Sequence, residues 1–166
     1  MNNALLFLAV GVLVVIVVLA LLKALPAKRP VSSESLPYRK RDYLLTVAER
    51  SFYELLCSIA GNQLHVFPKV RLLDLFYLPK GTENIQSHRN RVMSKHVDFV
   101  LCDRQNVKPL LVIELDDASH EREDRKERDA FLDQALSAAS LPVLHVTAKR
   151  SYAPKELADL IQEKLQ

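Results

Sequence analysis

The chain predicts an α/β layered domain preceded by one long apolar helix. Three observations carry this. Helical apolar periods alternate with short strand-like runs after residue 42. The 125 residues 42–166 suffice for one ordinary domain and are too few for two. Residues 4–22 (ALLFLAVGVLVVIVVLALL) contain no charge at all. Scarce glycine, no visible repeat and 49% hydrophobic residues exclude collagen, solenoid and disordered classes.

The apolar run comes first in the chain. Nineteen helical residues reach about 28 Å, close to the roughly 30 Å core of a bilayer. A cleaved signal peptide has a basic start and a shorter apolar stretch; here the chain begins Met-Asn-Asn, although Ala24-Leu-Pro-Ala27 could pass for a cleavage site. The expectation is a transmembrane anchor over 1–23, with the nearby cations placing the C-terminal domain in the cytoplasm. Residues 24–41 (ALPAKRPVSSESLPYRKR) follow as a basic Pro/Ser linker. Residues 1–41 carry six Lys/Arg against Glu34 alone, a balance of +5, while 42–166 carry 17 against 19, a balance of −2. The overall +3 is therefore a linker property and does not by itself mark the domain as binding nucleic acid. Cys57 and Cys102 show no metal-binding spacing, so zinc is not expected.

In the domain, Leu45, Ala48, Phe52, Leu55, Leu56 and Ile59 form a helical stripe that Gly61-Asn62 stops. Residues 64–76 (LHVFPKVRLLDLF) read as a strand, with Pro68 indicating an edge or a bulge. Residues 77–95 are polar and basic without a clear period. Two strands follow, near 96–102 and 109–115, joined by a turn through Arg104–Lys108. A helix with Phe131, Leu132, Ala135, Leu136 and Ala139 inward comes next. The strand Pro142–Thr147 and a helix from Pro154, carrying Leu157, Leu160, Ile161 and Leu165, complete an α-β-β-β-α-β-α order.

The hairpin concentrates the chemistry. With the turn centred on Asn106, Asp98 faces Glu114 and His96 faces Asp116, and opposed side chains share a face. Asp98, Glu114, Asp116 and His96 then form one patch, with Val97, Phe99, Leu101, Ile113 and Leu115 behind it. Three carboxylates so close call for a hard cation, Mg²⁺ first and Mn²⁺ next, or for one held proton; the bland alternative is solvated strand ends. His120 could reach a bound water. Arg125 or Arg128, in the salt-bridge-laced start EREDRKERD, could lean towards a phosphate. Glu49, at the edge of the first helical stripe, either snorkels or extends the acidic cluster, and Lys149-Arg150 after the last strand either hold a phosphate or form a solvated strand end.

The segments KHVDFVL, LLVIELDDASH, RKERDAFLDQAL and LPVLHV, in this order, resemble the PD-(D/E)XK nuclease superfamily. The likeness is to its very-short-patch-repair-endonuclease-like branch and to a related bacterial domain family of unknown function. It covers about residues 44–150. The resemblance implies a restriction-endonuclease-like α-β-β-β-α-β core with a C-terminal helix. Asp98 then matches the first metal-binding aspartate, Glu114 the (D/E)XK carboxylate and Glu49 the acid of the first helix. Asp116 stands where the lysine usually does, with His120 taking over part of its work, or with Lys126 or Arg125 supplying a cation from the helix. The implied activity is Mg²⁺-dependent phosphodiester hydrolysis, with Asp98, Glu114 and Asp116 as ligands and Asp116 or His120 orienting water. DNA is the expected substrate and RNA the second, steered by Arg89, Arg91 and Lys95 and by Arg125 and Arg128. The combined expectation is a single-pass protein of a bacterial inner membrane. The alternative is an inactive nuclease-fold domain that binds nucleic acid or a protein partner at the membrane.

Overall fold

The computed structural model describes residues 3–24, 35–116 and 123–166, with side chains described at 3, 7, 11–20, 35–116 and 129–166. The chain divides after Arg41 into two units, Met1–Arg41 and Asp42–Gln166. The first contains helix α1 (Asn3–Ala24). Among the described residues no helix is long and apolar enough to cross a membrane. That finding corrects the expected transmembrane anchor over 1–23.

The second unit opens with α2 (Val47–Ala60). Thr46 and Glu49 start it with a reciprocal capping box: Thr46 Oγ1 accepts the Glu49 N–H at 3.3 Å, and Glu49 Oε2 accepts the Thr46 N–H at 2.8 Å. Gly61, at φ 50°, ends the helix with its N–H on the Cys57 carbonyl at 3.0 Å. Strand β1 covers Leu64–Arg71, five residues shorter than the run 64–76 suggested. The helical turn α3 (Leu72–Leu75) takes over, because Leu72 turns into the core and donates its N–H to the Lys95 carbonyl at 2.9 Å.

Residues 85–93 form helix α4 (Ile85–Met93), which the sequence does not announce. Only Val92 of this helix is buried, so no apolar stripe marks its period. Strands β2 (His96–Asp103) and β3 (Pro109–Asp116) form the hairpin. Its register pairs Phe99 with Ile113, Val100 with Val112 and Leu101 with Leu111, then shifts by a bulge at Leu101/Cys102. Helix α5 (Glu123–Ala138) crosses to β4 (Val143–Thr147), parallel to β3, and α6 (Pro154–Leu165) closes the chain.

The sheet order is β1-β2-β3-β4, antiparallel except for the last pair. Two cores fill its faces. Phe52, Leu56, Phe99, Leu101, Leu111, Ile113, Leu157 and Ile161 pack under α2 and α6. Leu72, Val92, Val97, Val100, Val112, Leu132 and Leu136 pack under α5 and the α3–α4 segment. Each fully buried Phe or Leu contributes about 1.5–3 kcal/mol. Of the four apolar residues α6 carries, it buries Leu157 and Ile161, whereas Leu160 and Leu165 are 46% and 37% exposed.

Candidate functional site

On β3, Val112 belongs to the α5-side core and Ile113 to the α2-side core, with Leu115 packed against the latter. Strand alternation therefore places Glu114 and Asp116 on the α5 face. On β2 the alternation breaks at Asp98. Val97 lies in the α5-side core and Phe99, two residues on, in the α2-side core. This corrects the reading of Val97 and Phe99 as one apolar face. The ladder with β1 breaks at the same place: Pro68 pairs with Phe99 and Val70 with Val97, skipping Lys69 and Asp98. Lys69 has φ 53°, a left-handed conformation that costs a non-glycine residue energy and recurs at functional sites.

The interruption assembles a charged cluster that sequence reasoning missed. Lys69 Nζ lies 2.7 Å from Asp98 Oδ1 and 2.5 Å from Glu49 Oε1. The other Asp98 oxygen accepts the Leu115 N–H at 3.0 Å, just past the last β2–β3 pair, so Asp98 ties together β1, β2 and β3. Burial by itself would lower the Lys69 pKa, but its bonds to Asp98 and Glu49 prevail and raise it. Burial would likewise raise Glu49, and the bonds from Lys69 and Thr46 outweigh it, leaving that carboxyl below its ordinary value. Glu49 and Lys69 therefore both carry their charge throughout the neutral range.

Asp116 belongs to a second cluster. In the parallel register Glu114 lies beside His145 and Asp116 beside Thr147. His145 Nδ1 is 3.1 Å from Asp116 Oδ2, and Nε2 is 3.0 Å from Asp133 Oδ1 of α5. Burial would lower the imidazole pKa, yet Asp133 and Asp116 raise it on balance. Oε1 of Glu114 is buried.

The expected single patch is therefore divided. Asp98 turns to Lys69 and Asp116 to His145. Among the described residues, no group of three or more His, Cys, Asp or Glu side chains is set to hold a metal ion. His96 is exposed and pairs with Arg71 on β1, and the β2–β3 ladder ends at Phe99 and Ile113, so it does not extend to the expected His96–Asp116 pair. His120 lies outside the described residues. Arg125, Lys126 and Arg128 fall on α5, but their side chains also lie outside them.

On the α4 side, Arg89 is exposed, and the Arg91 guanidinium lies 4.2 Å from the centre of the Phe131 ring. Lys95 Nζ approaches the same ring at 5.7 Å. One aromatic edge of α5 thus gathers two of the expected phosphate-steering cations.

Lys69 and His145 left little trace in the sequence. Pro68 flagged a strand irregularity beside Lys69, but the β1–β2 register is set across a long helical connection. His145 required the parallel crossover to be known. No curated protein and no solved structure matches the chain. A family model described as "Protein of unknown function (DUF2726)" matches residues 41–165. With that match covering residues 42–165 of the second unit, the chain belongs to the DUF2726 family.

Proposed function

We propose that residues 42–166 form a nuclease domain of the PD-(D/E)XK kind that hydrolyses phosphodiester bonds, in DNA first and RNA second, with Mg²⁺ or Mn²⁺. The observation that carries the reading is the Lys69 ammonium between Glu49 and Asp98, where both strands leave their ladder. Asp116 occupies the family's usual lysine place, and Lys69 supplies a lysine to the same acids from β1. The antiparallel β1-β2-β3 sheet with a parallel β4 and helices on both faces also agrees with the core that the resemblance implies.

The chemistry of these acids suits a hard divalent ion, although no three of the described ones are grouped to hold it. The acids offer oxygen only, and an ammonium already stands as a cation against two of them. Following the resemblance, Asp98 and Glu114 would hold the ion, which once bound supplies Lewis acidity and acidifies water. Lys69 offsets charge developing on a phosphoryl oxygen. Glu49, anchored to the Thr46 N–H, aims Lys69. Arg89, Arg91 and Lys95 hold the strand by its phosphates.

The test incubates the purified full chain with plasmid, single-stranded DNA and RNA, with Mg²⁺, Mn²⁺ or EDTA. Expected is metal-dependent cleavage, reduced roughly hundredfold or more by Asp98→Ala, Glu114→Ala and Lys69→Met. No cleavage under any of these conditions removes the proposal.

A second reading is a domain that binds nucleic acid without cutting it. It is favoured by Asp98 and Asp116 each being matched to a cation of the protein itself. Salt-sensitive binding without cleavage would select it.

A further inference from the structure

Strands β3 and β4 run parallel and end together, with the Ala148 N–H on the Asp116 carbonyl at 2.7 Å. Crevices beyond the carboxyl ends of parallel strands are where α/β sheets take ligands. Here such a crevice lies between the first turns of α2 and the loop from β4 to α6. It is an open groove of about 640 Å³, lined by Val47, Ala48, Leu55 and Tyr152 and also by Lys149 and Arg150. The loop is braced: the Lys149 N–H donates to the Tyr152 hydroxyl at 2.9 Å, and the Tyr152 ring packs on Phe52 at 4.9 Å between centres. Both cations are exposed.

A largely apolar trough that also carries two cations matches a ligand with a flat apolar body and an anionic group. Helix α2 serves both features through neighbouring residues: Ala48 lines the groove and Glu49 holds Lys69. We infer that this groove seats one unpaired nucleotide of the nucleic acid, its base on the Val47–Leu55–Tyr152 wall and its phosphate on Lys149 and Arg150. The inference rests on the nucleic-acid reading above and deepens it, since a groove for a single base favours single-stranded regions. A duplex keeps its bases stacked and has no free base to offer.

Fluorescence anisotropy of the full chain in EDTA tests this, using a labelled single-stranded DNA oligonucleotide, the matching duplex and polyglutamate as competitor. The variants are Lys149→Ala with Arg150→Ala, and Ser51→Trp, which fills the groove from an exposed position of α2. Expected is a roughly tenfold weaker single-strand affinity in both, the scale of one lost stacked base. Duplex affinity should change less than about twofold, and melting temperatures should stay those of the parent chain. Equal losses on duplex and single strand, no loss on either, or displacement of the oligonucleotide by polyglutamate would each overturn the groove assignment. If the parent binds nucleic acid and the variants bind as well, the groove assignment falls while the proposed function stands. If the parent binds none, the nucleic-acid reading itself falls, and the groove assignment with it.

Discussion

The two charged clusters answer the same problem in different ways. Around Asp98, a lysine is inserted between two carboxylates; around Asp116, a histidine is. Each offsets the repulsion that close acids would otherwise generate. The lysine is a permanent cation on an unpaired stretch of backbone, and it joins β1, β2 and α2. The histidine is a titratable one, about a third exposed, and it joins β3, β4 and α5. The difference teaches that one edge of the domain is built to hold charge at any physiological pH, while the other holds it conditionally.

The largest way to break the comparison is Lys69→Met. It leaves Glu49 and Asp98 facing each other in a partly buried setting, and we expect a loss of about 2 kcal/mol in urea unfolding. The loss should be nearly constant across neutral pH, because the raised Lys69 pKa keeps the parent's ammonium charged there. Adding Asp98→Asn should recover most of the loss, and a double-mutant cycle reads that coupling. A smaller change sharpens the contrast. Thr46→Ala removes the side-chain half of the capping box and should cost about 1 kcal/mol. It also loosens the helix start that carries Glu49, so its coupling to Lys69→Met should exceed its coupling to His145→Gln, measured by the same melts.

The smallest effect is His145→Gln, below about 1 kcal/mol for so exposed a group. Its sign is set by linkage. The folded pKa is raised, so the stabilisation is fully present below the ordinary imidazole value near 6.5 and fades as pH climbs through the folded value. The parent and the variant should therefore differ at pH 5.5 and converge as pH climbs past the raised folded value. A gap that widens with rising pH would refute the assignment of His145 as the cation of its cluster.

Much of the frame was legible before any coordinates. The periods of α2, β2, β3 and α6 stand in the sequence, and so does the hairpin register, which places Phe99 against Ile113. Helix α4 was not legible, since it buries Val92 alone, and neither was the end of β1 at Arg71. Within the candidate site, Asp98, Glu114, Asp116 and Glu49 were named from spacing and resemblance, whereas their partners Lys69 and His145 were not.

The division follows from how each feature is encoded. Period, cap and short turn are local, so the chain by itself determined which segments become helices and strands, and how β2 meets β3 across a few residues. Which cation reaches which acid depends on segments brought together through α3 and α4 in one case and the α5 crossover in the other. Those approaches are set by the packing of Phe52 on Phe99 and of Leu132 and Leu136 on the opposite face. Only the assembled tertiary structure decided them, because no local spacing specifies how a long connection returns.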